Sequence, residues 1–143
     1  MNLVKVYNLE THIDDRGLLY EILRTDADFK PEMNQVYLVK DRTRGIIRAF
    51  HKHEELWDYF HIAAGSAVFF FFKDLDSGFQ KVVLDSRKPQ VIAVPPTIWH
   101  GWMSLEDNTM LISVGSTCYN ADKPDEERCK PDVLGDVWKV EEK

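Results

Sequence analysis

Two histidines two residues apart, His51 and His53, stand in a stretch of fixed rhythm. Gly45 is followed by five residues, then His51-Lys52-His53, four residues, Asp58, six residues, and Gly65. On an extended strand, residues i and i+2 project from the same face, so both imidazoles look the same way. Downstream, Pro95-Pro96-Thr97-Ile98-Trp99-His100 supplies a third histidine. These three imidazoles and one carboxylate are far apart in the chain. They converge if the strands that carry them are neighbours in a small closed β-shell, and that requirement governs the fold.

The rest of the chain is patterned to build such a shell. Strand-like periodicity runs through 34–40, 46–53, 57–63, 66–73, 81–84, 90–94 and 109–114. Turn-forming clusters separate these segments: Asp41-Arg42-Thr43-Arg44-Gly45, Ala64-Gly65, Asp76-Ser77-Gly78, Lys88-Pro89 and Glu106-Asp107-Asn108. Many short strands at this spacing imply a sandwich or jelly-roll barrel. Phe69 to Phe72 form an unbroken aromatic run, as in a strand covered on both faces, for example by the barrel on one side and a second subunit on the other. That apolar face favours a homodimer. Asp26-Ala27-Asp28-Phe29 is read as a single helical turn. The charged tail from Lys123, punctuated by Pro124, Pro131 and Gly135, is expected to fold Val137 and Trp138 back onto the body.

At 143 residues the chain suits one domain, 1–143, with one sizeable core. Its net charge of −6 leaves no basic excess to face phosphates, so general nucleic-acid binding is not expected. No apolar run approaches the ~18 residues of a membrane-spanning helix, and the Met1-Asn2-Leu3-Val4-Lys5 start carries no secretory signal. The expectation is a cytoplasmic protein that engages no membrane. Cys118 and Cys129 fit no common zinc spacing and read as reduced, inert thiols.

The histidine cluster supports two chemistries. Three imidazoles and a carboxylate, His51, His53, Asp58 and His100, suit one divalent transition metal with positions left open for substrate. Alternatively, neutral His51 acts as a general base on a carbon-bound proton next to a ketone, and no cofactor is needed. Arg48 then neutralises phosphate charge, or else forms a surface ion pair. Arg48 and His51 have odd separation, so both face one pocket only if a bulge intervenes. His12 and His61 have no partner in the pattern; His61 lies an odd number of residues from Asp58 and so on the opposite face, and both read as surface or packing residues. Trp57, Tyr59, Trp99 and Trp102 surround the motif, where they stack on a sugar or base, or fill the core.

The spacing from Gly45 to Gly65 with His100 resembles the double motif of the cupin superfamily, with Asp58 where Glu is usual and Thr97 where Gly is usual. A longer ordered series narrows this. Asp14-Asp15-Arg16-Gly17-Leu18-Leu19-Tyr20-Glu21, Gln35-Val36, Ile47-Arg48-Ala49-Phe50-His51, Trp99-His100-Gly101-Trp102 and Tyr119-Asn120 together resemble the dTDP-4-dehydrorhamnose 3,5-epimerase family of RmlC-like cupins. The resemblance covers most of residues 10 to 120. It implies an all-β cupin jelly-roll barrel, a double-stranded β-helix, with an N-terminal strand arm and a short charged tail. It also implies an isomerase acting beside the keto group of a nucleotide-linked 4-keto-6-deoxysugar. His51 matches the catalytic base and Arg48 a diphosphate-binding arginine. Arg16 and Glu21 match nucleotide-contacting residues lent by a partner subunit, again a homodimer. Gln35, His100 and Tyr119 match pocket-lining positions.

The chain also departs from that pattern. Ser113 stands where the family has its acidic tyrosine, and a serine hydroxyl is far too weak an acid to protonate a carbanion. The family aspartate that orients the catalytic histidine lies in a C-terminal region that this shorter chain lacks. Asp58 and Ala49 replace lysine and glycine, and His53 stands where glutamine is frequent. The substitute acid is then Tyr37, Tyr59 or Tyr119, and Asp58 is placed to orient His51. A single inversion, a reaction at another carbon, or a metal-dependent isomerase or oxygenase fits these departures. So does a non-catalytic nucleotide-sugar-binding cupin.

Overall fold

The computed structural model describes residues 1–143 and contains twelve strands and no helix. The N-terminal arm holds β1 (Lys5–Asn8), β2 (Thr11–Asp14) and β3 (Gly17–Tyr20). The barrel is built from β4 (Gln35–Asp41), β5 (Ile47–Lys52), β6 (Asp58–Ala64), β7 (Ser66–Phe72), β8 (Gln80–Asp85), β9 (Gln90–Val94), β10 (Trp99–Ser104) and β11 (Thr109–Gly115). A two-residue strand, β12 (Glu127–Arg128), closes one edge. One sheet runs β1-β9-β6-β11-β4 and the other β12-β5-β10-β7-β8, while β2 and β3 form a separate ribbon. All pairings are antiparallel, as a jelly roll requires.

Alternation sorts the side chains. Phe60 and Ile62 of β6, Phe69 and Phe71 of β7, Ile92 and Val94 of β9, Trp102 of β10 and Leu111 of β11 fill the space between the sheets. The phenylalanine run is buried on both faces, but its outer cover differs from the expected one. Phe70 and Phe72 pack under the chain's own C-terminal segment, with Cys129, Val133, Leu134, Val137 and Trp138 against them. Trp138 meets Phe50 and Phe70 at ring-centroid distances of 5.3 and 4.9 Å and donates its indole N–H to the Pro131 carbonyl at 2.8 Å. The tail therefore replaces the twin subunit that the apolar run suggested. Exposed apolar side chains away from the tail include Ile13, Leu18 and Leu19 of the ribbon and Val36 and Leu38 of edge strand β4.

Asp26–Phe29 is not helical. Ala27 donates to the Arg24 carbonyl and Lys30 to the Ala27 carbonyl, which makes successive turns on the outer face of β1 and β9. There Phe29 stacks on Tyr7 at 4.1 Å. A tertiary aromatic contact thus sets the segment's shape. His61 is a packing residue, as its parity implied: it donates through Nδ1 to the Gln90 carbonyl and accepts from the Tyr20 hydroxyl. His12 is exposed. Both cysteines are free.

Because the tail covers Phe70 and Phe72, Trp138→Ala should cost about 3 kcal/mol of unfolding free energy. Denaturant titration measures this. A change near zero would mean that the tail does not seal the outer face.

Candidate functional site

β5 carries His51, the residue just past its end is His53, and β10 carries His100; together they meet at one end of the barrel. His51 pairs directly with His100, but the next register point is Arg48 with Trp102. Three steps on β5 oppose two on β10, so β5 carries one extra residue. This bulge at Ala49-Phe50 resolves the parity problem, because Arg48 and His51 line one cleft together. It also explains Gly101. A Cβ there would come within 2.4 Å of the Ala49 Cβ, so only glycine fits across from the bulge. The turn before β10 holds Thr97 at φ 71, left-handed backbone that favours glycine. Thr97 N donates to the His53 carbonyl at 2.6 Å, which fixes the end of β5 against this turn.

Asp58 opens β6 in the opposite sheet and points inward on the same parity as Phe60 and Ile62. Its Oδ2 lies 3.1 Å from His53 Nε2 and 3.2 Å from His100 Nε2. His100 donates through Nδ1 to the Ile98 carbonyl at 2.9 Å, and its buried Nε2 closes no aligned hydrogen bond. His51 stacks edge-on to His100 with ring centroids 4.4 Å apart and lies 6.0 Å from the His53 ring. No hydrogen bond joins Asp58 to His51. The aspartate pairs with His53 and lies beside His100, which corrects the expectation that it would orient the base. The reason is positional: β6 faces His53 at the end of β5, while His51 sits one pleat deeper against β10.

Electrostatics separates the two neighbouring histidines. Burial, helped by repulsion from His100, His53 and Arg128, pushes the His51 imidazole down to about 3 despite nearby Asp58. Burial also opposes charge on His53. There, however, the Asp58 carboxylate and the Asp125 carbonyl on Nδ1 outweigh it, and the pKa rises above 6.5. Asp58 is pulled well below the ordinary carboxylate range, because His100 and His53 overcome the cost of its burial. At pH 6.5 the site therefore holds a neutral imidazole beside a mostly protonated one, the pattern that separates base from acid.

The other expected residues fall into two groups. Gln35, Tyr37, His53, Asp58, Tyr119 and Glu126 border a cavity of about 160 Å³. Gln35 accepts from the Tyr119 backbone N–H at 2.7 Å, but the Tyr119 residue is 66% exposed at the cavity rim. Arg48 lines the adjoining cleft of about 430 Å³ with Tyr37, His51 and Trp102, and donates to buried Asp41 at 2.8 Å. Ser113, at the family's tyrosine position, is fully buried with an unpartnered hydroxyl. Tyr37 pairs with it across the β4–β11 ladder, lines both cavities, and has its phenol pushed up in pKa by burial. Arg16 and Glu21 lie apart from this cluster on the N-terminal arm, bound to Asp14 and Arg24. Trp57 and Tyr59 stack on one another along an outer groove of about 670 Å³ that contains none of the histidines. Of the motif's aromatics, Trp102 touches His51, at 6.0 Å between ring centroids, and Trp99 stacks on Phe72.

Do these donors fit a metal? The ligand nitrogens of His51, His53 and His100 come within 4.8 Å of one another, so they could share an ion. Asp58 Oδ2, 3.1 Å from His53 Nε2 and 3.2 Å from His100 Nε2, lies at spacings that suit a shared proton and equally suit neighbouring ligands of one ion, whose donors sit about 2.0–2.2 Å from the metal.

The family described as FdtA: WxcM-like, C-terminal matches residues 2–126. The chain belongs to this family. A curated relative from Haloferax volcanii, named a probable low-salt glycan biosynthesis epimerase, is 30% identical over 135 residues, covering 87% of this chain and 85% of the relative. Among solved structures, a 3'-monoepimerase from Streptomyces bikiniensis in complex with dTDP-quinovose superposes with TM-score 0.82 at 17% identity, over 91% of this chain and 71% of that one. A TDP-quinovose 3,4-ketoisomerase from Campylobacter jejuni gives TM-score 0.76 at 20% identity, over 94% and 98%. The two structures establish that this FdtA-like chain shares the jelly-roll fold of both.

In this FdtA-like chain the Asp58 ion pair ties stability to pH. Asp58 lies below its ordinary value of 3.8 and His53 above its ordinary 6.5. Stabilisation is therefore fully present between those values. It fades as pH falls through the Asp58 value and as pH rises through the His53 value. Asp58→Asn should lose about 3 kcal/mol at pH 6 and flatten both limbs of the stability–pH curve. Unchanged stability at pH 6 would contradict the pairing.

Proposed function

We propose that this protein isomerises a nucleotide-linked 4-keto-6-deoxysugar by moving the proton on C3, the carbon next to the ketone. One observation carries the reading: His51 in β5, held neutral, and His53 just past its end, with its pKa raised, come together at the same end of the barrel. His51 removes the C3 proton as general base. His53 delivers its Nε2 proton to the C4 oxygen as the enolate forms. Nothing beyond the keto group is needed to acidify the carbon, so no cofactor enters. The relatives' names, an epimerase of glycan biosynthesis and structures acting on dTDP-sugars, support the substrate class.

From the enediol, two outcomes diverge. Inversion at C3 needs a proton donor on the face opposite His51, the place where Ser113 offers no usable acid. A 3,4-ketoisomerisation needs only one face. His53, now neutral, takes the proton from the C3 oxygen, and protonated His51 returns its proton to C4. The new ketone is at C3, and no proton is gained or lost. The histidine pair favours this second course. Single epimerisation at C3 is the alternative reading, with the Tyr37 phenol as opposite-face donor, because Tyr37 stands across the ladder from Ser113 and lines both cavities.

Arg48 is placed to meet the diphosphate, with Gln35, His100 and Tyr119 around the sugar. Arg16 and Glu21 reach a site only in a second copy. The exposed apolar residues of the ribbon and of β4 support such a homodimer, as an unpaired edge strand does.

The test is incubation with dTDP-4-keto-6-deoxyglucose in heavy water, followed by NMR. The reading predicts a 3-keto product with deuterium at the ring carbon that accepts the proton, and a loss of at least ~10²-fold in kcat for His51→Asn. Tyr37→Phe should leave ketoisomerisation largely intact, whereas a C3-inverted product abolished by Tyr37→Phe would establish the epimerase. Unchanged ring signals, with no deuterium at C3 or C5, would contradict both. The pH profile has a defined sign as well. With the base's pKa near 3 and the acid's raised above 6.5, kcat should stay level above pH 5 and fall as pH rises through the His53 value. His53→Gln should remove that alkaline fall along with most of the rate.

A further inference from the structure

The segment that follows the barrel does more than cover apolar surface. Asp125, 72 residues beyond His53, points its backbone carbonyl at His53 Nδ1. A carbonyl oxygen only accepts, so Nδ1 carries the proton, and Nε2 is the nitrogen left to face Asp58 and the cavity. The Asp125 carboxylate anchors this carbonyl. Its Oδ1 accepts from Glu54 N at 2.8 Å, and its Oδ2 accepts from Glu55 N at 3.0 Å and Leu56 N at 3.1 Å. One side chain therefore gathers three consecutive amides of the loop between His53 and Asp58. The strap is fastened just beyond it. Glu127 and Arg128 pair with Lys52 and His51, and Cys129 exchanges two backbone hydrogen bonds with Phe50 at 3.0 and 3.1 Å. On the other side, Thr97 N holds the His53 carbonyl.

We infer that Asp125 is a positioning residue for the reaction. It binds the Glu54–Leu56 amides and so keeps a proton on His53 Nδ1 in both charge states of the ring, leaving Nε2 as the nitrogen that gives up and takes back a proton at the reacting oxygen. The assignment of His53 as the proton donor comes from the proposed function, and this inference rests on it. The lock itself is a structural statement that stands or falls separately. Asp125 does not touch the reacting atoms. Nor does it share a strand with the histidine it serves. Three backbone donors converge on its carboxylate and hold it below the ordinary range against the cost of partial burial, which agrees with a built contact rather than a passing one.

Asp125→Ala frees the loop, and Asp125→Asn keeps one acceptor oxygen. Long-range nitrogen–proton NMR of the imidazoles reads the tautomer without substrate. Read at a pH above that at which His53 loses its second proton, native protein should show the remaining proton on His53 Nδ1, Asp125→Ala should show mixed or averaged tautomers, and Asp125→Asn should lie between. With dTDP-4-keto-6-deoxyglucose, Asp125→Ala should lose roughly 10- to 100-fold in kcat with KM changed less than about threefold, and Asp125→Asn should recover part of it. A native tautomer signature in Asp125→Ala overturns the inference whatever the substrate proves to be. Equal losses in both variants with KM rising in parallel would reduce Asp125 to a structural loop anchor and also overturn it. If native protein does not turn over the sugar, the functional reading fails while the NMR comparison still decides the lock. Should Asp125→Ala not fold, the Asp125→Asn spectrum decides it.

Discussion

A buried carboxylate cannot remain charged inside a β-barrel without partners, and the site is arranged around this requirement. Asp58 belongs to one sheet, while its neighbours His53 and His100 come from the end of β5 and from the central strand β10 of the other. The ion pair therefore joins the sheets at the end where the barrel opens, while Phe60, Phe69, Phe71 and Trp102 join them in the middle. Removing the carboxylate would leave two imidazoles facing each other with nothing between them. Keeping it holds one histidine protonated and, through the mutual repulsion of neighbouring imidazoles, helps to keep the next one neutral. Structure and reactivity thus depend on the same contact.

Local backbone choices serve that contact. The bulge on β5 turns Arg48 and His51 toward one cleft, and Gly101 makes room for it on β10. Thr97 occupies left-handed backbone so that its amide can hold the end of β5 beside His53. For a β-branched residue this conformation costs on the order of 1–3 kcal/mol. The C-terminal strap completes the arrangement from outside, with Asp125 on the loop, Arg128 beside His51 and Trp138 on the phenylalanines.

Much of this was legible in the order of residues. Spacing placed His51, His53, Asp58 and His100 together because strand parity is strict and the interior of a small barrel admits few positions. The same parity correctly sent His61 to the other face, and the odd separation of Arg48 from His51 required the bulge that is found. What escaped has a common cause. Asp58 was paired with the wrong histidine because proximity in a motif does not reveal how deep in the barrel each ring sits. Phe69–Phe72 announced a doubly covered strand but not its cover, since a tail and a twin subunit bury the same side chains. Asp125 left no trace at all. Its contacts span about seventy residues and use backbone amides, which no side-chain pattern records. Tyr37 was one of three candidate phenols, and only the β4–β11 register singled it out.

The central claim is that two histidines two residues apart in the chain hold opposite protonation states near pH 6.5. Titrating the individual imidazole resonances of the native protein from pH 4 to pH 9 tests it most directly. The account predicts that His51 shows the shifts of a neutral ring across this range, while His53 remains protonated past 6.5 before it titrates. Two histidines titrating together near 6.5 would contradict it.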